Sequence, residues 1–398
     1  MLNSRLEGLR DSAFQRLAAL IGASPPCSNL PTIDLSVGEP RRPPPALIAE
    51  LVDAKRETWN RYPPVNGTIE FRSACARWLK RRYALPEGMI DPETMIAPCA
   101  GTREGLYMAA TLAVPPRNGA AAPVAMMPNP FYQVYIGASV LAGADPIFLA
   151  TSKETGFLPD LDALDPALLD RVALFYLCSP ANPQGSVASL DYWKRALTLA
   201  RRHDFLLVAD ECYAEIYSTD VPPPGALEAA VAMGGALDNL LAFHTLSKRS
   251  SVPGLRSGFS VGCPKAVALM KRLRTYSCAA TPLATLEAAT ALWGDEEHVV
   301  TTRAEYREKF DIAERLFAGR FGFYRPAGGF YLWLEVGDGE EATRTLWSQA
   351  HVKVLPGAYL TRHDGPGPNP NQAYIRVALV EDAERTEETL TRLLNVLS

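Results

Sequence analysis

The chain has 398 residues, 47% of them apolar, and a formal net charge of -4. That length is enough for a large core and about two domains. With no basic run longer than Lys80-Arg81-Arg82, the composition argues against nucleic acid or an anionic membrane as the main partner. No apolar run reaches the roughly 20 residues that span a bilayer. The seven cysteines (27, 75, 99, 178, 212, 263 and 278) are scattered, and no Cys-x-x-Cys pair occurs, which argues against a zinc site or a disulfide framework. A cytoplasmic, reducing location fits this usage.

In chain order, residues 4–22 are predicted as an amphipathic helix rather than a secretory signal, with Leu6, Leu9, Phe14, Leu17, Leu20 and Ile21 on one side. Ser24-Pro-Pro-Cys should break it. Ile33 opens a short strand that runs into a loop at Gly38, and helices follow at 45–58 and 68–83. Between them, Arg61-Tyr-Pro-Pro-Val-Asn-Gly-Thr cannot be helical. Met95 begins a strand, a tight turn at Ala100-Gly101-Thr102 and a helix, whose free N–H groups could take an anion. A plain strand–helix turn is the bland alternative.

From there to about 280, strand and helix alternate. Strands are expected at 123–127, 145–149, 172–177, 205–210 and 240–244, and helices at 132–142, 160–169, 188–202 and 264–275. Alternation of this kind implies an α/β fold with a mostly parallel sheet covered on both faces. Ligands then bind beyond the carboxyl ends of the strands. Four polar clusters fall there: Asn129-Pro-Phe-Tyr, Ser179-Pro-Ala-Asn-Pro-Gln-Gly, Asp210-Glu-Cys-Tyr and Thr245-Leu-Ser-Lys. The last third reads as a smaller α+β unit. It has a long helix at 283–318, strands near 326–336, 352–357 and 374–379, a helix at 340–350, a Gly/Pro-rich loop at 361–372 and a terminal helix.

Lys248 lies in a turn rich in hydroxyls and glycines, with Arg256 eight residues on. A lysine becomes nucleophilic when burial and nearby cations lower its pKa. The hydroxyls of Thr245, Ser247 and Ser250 and the fork of Arg256 can hold an anion. A reactive amine beside a phosphate cradle suits pyridoxal phosphate. The alternative is a surface loop with solvated cations.

With these residues in view, the chain resembles the fold-type I, pyridoxal-phosphate-dependent aminotransferases of class I/II over nearly its whole length. The matching motifs are Ser-Val-Gly-Glu-Pro (36–40), Tyr62…Gly67, Gly101-Thr102…Glu104, Asn182-Pro-Gln-Gly, Asp210-Glu-Cys-Tyr, Ser247-Lys248…Gly-Leu-Arg256-Ser-Gly, Gly-Gly-Phe-Tyr-Leu-Trp and Tyr-Ile-Arg376-Val. The resemblance implies a large cofactor-binding domain at 46–284 and a small domain at 285–398 joined by residues 1–45. It implies that Lys248 is the Schiff-base lysine and then the proton carrier. Asp210 would pair with the pyridinium nitrogen, unless it only caps a helix. Asn182 and Tyr213 would reach the ring's phenolic oxygen. Tyr132 would stack on the ring, with Phe131 and Tyr135 as alternatives. Gly101, Thr102, Arg103, Thr245, Ser247 and Arg256 would bind phosphate.

Tyr62 matches a tyrosine that reaches the phosphate of a neighbouring subunit, so a homodimer with shared sites is implied. Arg376, beside the Gly38 backbone, would take the α-carboxylate of amino-acid and 2-oxo-acid substrates. The bland reading of Arg376 is a surface salt bridge. The bonds Asn129–Pro130 and Asn182–Pro183 are expected to be cis. Within the family, the segments around 247–259, 274–282 and 375–380 look most like the succinyldiaminopimelate aminotransferases of lysine biosynthesis. A distal carboxylate would then need a second cation, with Arg41, Arg42, Arg249 and Arg274 as candidates. Another class I/II aminotransferase, of aspartate, aromatic or kynurenine type, and a carbon–sulfur β-lyase, which shares every cofactor residue, stay open. A regulator built on this fold needs an N-terminal DNA-binding domain, for which a motif already at 36 is expected to leave no room.

Overall fold

The computed structural model describes residues 3–22, 30–116 and 121–398. The helix break expected at Ser24–Cys27, and Cys27 itself, lie outside the described residues. The strands are β1 (Ile33–Asp34), β2 (Ile96–Cys99), β3 (Val124–Asn129), β4 (Asp145–Ala150), β5 (Val172–Cys178), β6 (Leu206–Asp210), β7 (Leu240–Thr245), β8 (Gly258–Gly262), β9 (Tyr331–Glu335), β10 (Val352–Lys353), β11 (Leu355–Pro356) and β12 (Tyr374–Ala378).

Seven strands form one sheet in the order β2-β8-β7-β6-β5-β3-β4. All neighbours are parallel except β8, which runs antiparallel to both β7 and β2. β5 to β7 are apolar and almost wholly buried, as expected for strands covered on both faces. β8 was not among the expected strands. Its Gly-Phe-Ser-Val-Gly sequence is short and bounded by glycines, which strands disfavour. Those glycines are required here. A Cβ on Gly262 would lie 2.1 Å from the Leu240 carbonyl oxygen, and one on Gly258 would lie 2.7 Å from that of His244. Because β8 is antiparallel to both neighbours, Cys99 and Thr245 both pair with Gly258 and end at the same edge of the sheet.

Four of the expected helices differ in extent, and the helix Ala226–Ala232 was not among those expected. The first helix covers only Ala13–Gly22, after a separate turn at Ser4–Leu6. Ser12 and Gln15 form a reciprocal capping pair that starts it: Ser12 N donates to Gln15 Oε1, and Gln15 N donates to Ser12 Oγ. The 45–58 region is a helix at Leu47–Ala54 and a 3₁₀ turn at Arg56–Asn60. The 160–169 stretch is helical only at Pro166–Leu169, where Asp165 caps and Pro166 occupies the first turn. The long helix divides at Asp295, whose carboxylate accepts from Glu297 N, into Leu283–Gly294 and Glu297–Phe317.

A second sheet, β11-β12-β9, is antiparallel, and β1 pairs with β10 in parallel. One core is built from Ile33, Leu35, Phe310, Phe330, Leu332, Ile375, Val377 and Leu390. It ties the N-terminal strand to the last third of the chain. Leu35 N donates to the Lys353 carbonyl and Ala378 N to that of Leu35, which fixes the Ser36–Gly38 loop against β12. Leu286, Ala289, Leu292 and Trp293 instead pack with Trp78 and Phe259 in the core of the larger sheet. The boundary expected between 284 and 285 therefore falls inside a helix.

Candidate active site

A cavity of about 900 Å³ opens at the carboxyl edge of the large sheet. Its lining gathers Gly38, Thr102, Arg103, Tyr132, Asn182, Asp210, Tyr213, Thr245, Ser247, Lys248, Arg256 and Arg376 from eight separate stretches of sequence. Gly101 stands just behind this wall. Tyr62 is fully exposed on the surface and is not part of the lining.

Lys248 sits on a single helical turn, Leu246–Arg249, that extends β7. Thr245 caps this turn, its hydroxyl accepting from Ser247 N at 3.1 Å. The lysine ammonium donates to the Gly38 carbonyl oxygen and lies 5.2 Å from the centre of the Phe330 ring. Burial lowers its pKa to about 8, and the guanidinium groups of Arg376 and Arg256 push the same way. A reactive fraction of free amine near neutral pH follows.

An anion cradle lies beside it. Gly101 precedes the helix Thr102–Ala113 and, unlike Thr68 or Ser189 at other helices, offers no side-chain cap. Its first N–H groups and the positive end of the helix dipole are left to a ligand. Gly101 has φ +78°, and a Cβ there would lie 2.3 Å from Arg256 Nη2. Only glycine lets the arginine come this close. Arg256 is held by donating to the carbonyls of Pro253 and Ala100. Ser247 Oγ joins through Thr245 Oγ1 at 3.0 Å, and Thr102 Oγ1 lies 2.9 Å from Cys212 Sγ.

Asp210 ends β6 and is 3% exposed. Tyr135 donates to its Oδ2 at 2.5 Å and Cys212 N to its Oδ1 at 3.3 Å. Its side chain closes a turn over Cys212, but no helix follows, so it is not the helix cap of the bland reading, and it lines the cavity. Burial pushes its carboxyl up, opposed by these hydrogen bonds. Tyr135 lies parallel to Tyr176 with ring centres 4.4 Å apart, so that face of its ring is covered. Phe131 lies against Phe148. Tyr132 lines the cavity with its hydroxyl accepting from Arg103 Nε at 2.8 Å, which gives the Arg103 side chain a task the sequence reading had not assigned.

Arg376 is 4% exposed, so it is not a surface ion pair. It donates to Asn182 Oδ1 at 3.0 Å and to the Ser36 carbonyl at 2.6 Å, and its buried Nε has no partner among the described residues. Tyr331 lies under it, 4.4 Å from guanidinium carbon to ring centre, and shares a 3.1 Å hydroxyl contact with Tyr213. A Cβ on Gly38 would overlap the Tyr331 hydroxyl at 1.7 Å. Tyr331 belongs to the Gly-Gly-Phe-Tyr-Leu-Trp motif, which by itself assigns it no role. Its inward orientation, one residue after Phe330, depends on the pleat of β9.

The bonds at Asn129–Pro130 and Asn182–Pro183 are cis, and so is Ser179–Pro180. The four arginines considered for a distal carboxylate are all engaged elsewhere. Arg41 meets Glu381, Arg42 meets Thr302 and Glu305, Arg249 meets Glu296 and the Leu292 carbonyl, and Arg274 meets Glu104. None of them lines the cavity. The cations that do, beyond Lys248, Arg256 and Arg376, are Arg10, Arg16, Arg103 and Arg362.

The family described as "Aminotransferase class I and II" matches residues 31–397. An LL-diaminopimelate aminotransferase from Dehalococcoides mccartyi is 30% identical, the alignment covering 100% of this chain and 99% of that one. An aminotransferase structure from Neisseria meningitidis superposes with a TM-score of 0.94 at 36% identity, covering both chains completely. A probable N-succinyldiaminopimelate aminotransferase from Thermus thermophilus has a TM-score of 0.83 at 24% identity, covering 97% of this chain and 100% of its own, a likeness of fold.

Proposed function

Because this chain belongs to the class I and II aminotransferase family, we propose that its cavity exchanges amino groups between glutamate/2-oxoglutarate and a long substrate of the diaminopimelate type. The enzyme is a pyridoxal-phosphate-dependent aminotransferase that acts on amino acids and 2-oxo acids. One observation carries the site assignment: a lysine with its pKa lowered to about 8 lies between an uncapped helix N-terminus and a buried arginine with an unused donor.

The residues fit the cofactor. The space that a Cβ on Gly101 would fill, the open helix end, Ser247 and Arg256 make a phosphate cradle. Asp210 is a buried carboxylate, costly unless it faces a cation, and a protonated ring nitrogen is such a cation. Bound pyridoxal phosphate supplies an aldehyde for the amino group and a ring that withdraws electrons from the substrate's α-carbon.

The chain supplies the rest. Lys248 carries a proton to and from the substrate's α-carbon. Arg376 binds the α-carboxylate through Nε, and Asn182 and Ser36 hold its other nitrogens. Tyr213, Asn182 and Tyr132 orient the ring. A homodimer in which Tyr62 completes the partner's phosphate site belongs to the same proposal, as does a cytoplasmic location. So does a division into two bodies, moved from 284 to about 295 because Leu286–Trp293 pack on the larger sheet.

For the finer substrate, the preponderance of arginines over carboxylates in the cavity supports an anionic chain such as N-succinyl-2-amino-6-ketopimelate. LL-diaminopimelate is the second reading, supported by the names of relatives about 30% identical. A donor–acceptor screen of the purified enzyme separates them. Glutamate should be consumed with formation of 2-oxoglutarate when the succinylated keto acid is supplied, and alanine should be a poor donor. Release of pyruvate and ammonia from sulfur amino acids, without need of a keto acid, would instead identify a β-lyase.

A further inference from the structure

We propose that Arg362 and Arg10, bridged by Asp364 at the outer end of the cavity, read a second carboxylate on the substrate, and that Asn129 positions Arg362 for this. The proposal rests on the aminotransferase reading of the inner site.

The cavity continues past the reaction centre along Phe131, Leu158 and the segment Leu9–Arg16. Besides Lys248, Arg256 and Arg376, four arginines line the cavity, whereas Asp11 and Asp210 are the carboxylates among its lining residues. Two of the four are occupied by aromatic neighbours. Arg103 holds the Tyr132 hydroxyl, and Arg16 lies over the Tyr359 ring at 3.8 Å. Arg10 and Arg362 are arranged differently. Arg362 Nε donates to both oxygens of Asp364, at 3.0 and 2.7 Å. Arg10 Nη2 donates to the same carboxylate at 2.9 Å. One carboxylate between two guanidinium groups leaves a positive charge over. The terminal nitrogens of Arg362 make no hydrogen bond among the described residues, and they are a fork suited to another carboxylate.

Stability does not explain the cluster, because ion pairs this exposed contribute little. Side-chain exposure is 53% for Arg10, 54% for Asp364 and 24% for Arg362. Position explains it better. Arg362 N donates to Asn129 Oδ1 at 3.1 Å, and Asn129 Nδ2 donates back to the Arg362 carbonyl at 2.8 Å. Phe131 N donates to the Leu360 carbonyl at 3.0 Å. The loop is thus pinned to the end of β3, beside the cavity wall, and Asp364 holds Arg362 Nε while the terminal nitrogens keep no hydrogen-bond partner among the described residues. A substrate held at its α-carboxylate by Arg376 would lay its chain along the apolar wall and end at this pair.

The test uses the holoenzyme and two probes that differ only at the far end, 2-aminoheptanedioate and 2-aminoheptanoate. Calorimetry with the unreactive heptanedioate and heptanoate gives a binding readout independent of turnover. We expect the wild type to prefer the dicarboxylates. Arg362→Gln should reduce the kcat/KM ratio of the two amino acids by roughly 10- to 100-fold, the range for loss of a charge-assisted pair. Arg362→Lys should restore part of that ratio. Asn129→Ala should reduce it too, and should add little on top of Arg362→Gln. If Asn129→Ala fails to fold, the arginine variants and Arg10→Gln decide alone. An unchanged ratio in Arg362→Gln, or equal loss for both probes, would make Arg362 merely structural and overturn the proposal. A wild type that transfers from both probes without preference overturns this proposal alone. Transfer from neither probe, and none from glutamate, overturns the aminotransferase reading, and the calorimetric difference between heptanedioate and heptanoate still decides the role of Arg362.

Discussion

Lys248 concentrates the chemistry into one amine, and its environment sets when that amine works. Its pKa of about 8 in the fold lies below its ordinary value of 10.5. Between those two pH values the unfolded chain holds a proton that the folded chain has released, so folding stability from this group rises as pH increases through that window. Below about pH 8 the fold must carry a buried charge. Lys248→Met should therefore raise the thermal midpoint of the cofactor-free protein by a few degrees near pH 7, on the order expected when such a charge is removed. The gain should shrink toward pH 10, and a gain independent of pH would reject this origin. The same sign governs function: capture of pyridoxal phosphate by the cofactor-free protein should accelerate with a midpoint near pH 8. Lys248→Ala should cut turnover by roughly 10²–10⁴-fold or more and leave no cofactor fixed by borohydride. Fixation onto another lysine would move the assignment away from Lys248. Lys248 was legible in the sequence because hydroxyls, glycines and an arginine cluster within nine residues of it. The bond from Tyr135 to Asp210 and the place of Tyr331 beside Tyr213 and Arg376 were not, because these partners lie far away in sequence.

At the scale of elements, the helix Thr102–Ala113 is used at its uncapped end. Gly101→Ala would place a methyl group against Arg256 and strain a φ of +78°. We expect a loss of roughly 10- to 100-fold in affinity for pyridoxal phosphate, the range for disturbing one charge-assisted contact. The loss for pyridoxal, which lacks the phosphate, should be much smaller. Equal losses in a fluorescence titration would mean that the substitution disrupts the site generally. The strand–turn–helix pattern around Gly101 was legible, since apolar periodicity and turn residues are local signals. β8 was not, because five residues framed by glycine carry little strand signal, and neighbouring β7 and β2 define it instead.

For the whole molecule, the exposed aromatic groups on the large sheet's side are the feature that one chain leaves unexplained. Tyr62, Trp59 and Tyr276 are 102%, 57% and 85% exposed. Such rings on a surface fit the proposed two-fold interface. Sedimentation should give about twice the chain mass of 43.3 kDa. Mixed assemblies of Lys248→Ala and Tyr62→Ala chains should recover turnover above the sum of the two variants alone, because each mixed dimer contains one site with an intact Lys248 and an intact partner Tyr62. A monomer in sedimentation, or no recovery on mixing, would remove Tyr62 from the site.

The sequence by itself determined the alternation of strand and helix, the clustering of polar motifs at strand ends, and the family to which those motifs belong. These are short-range properties: a period of two or 3.6, a turn residue, a lysine in its local setting. Only the tertiary structure decided which arginines face the cavity. Arg41, Arg42, Arg249 and Arg274 looked eligible in one dimension, yet each meets a carboxylate or carbonyl that folding brings near, from Glu104 to Glu381. Arg10 and Arg362 gave no local signal, because they meet at Asp364 across some 350 residues of chain. An arginine's role depends on which acceptors surround it, and for most residues in this site those acceptors come from another part of the chain.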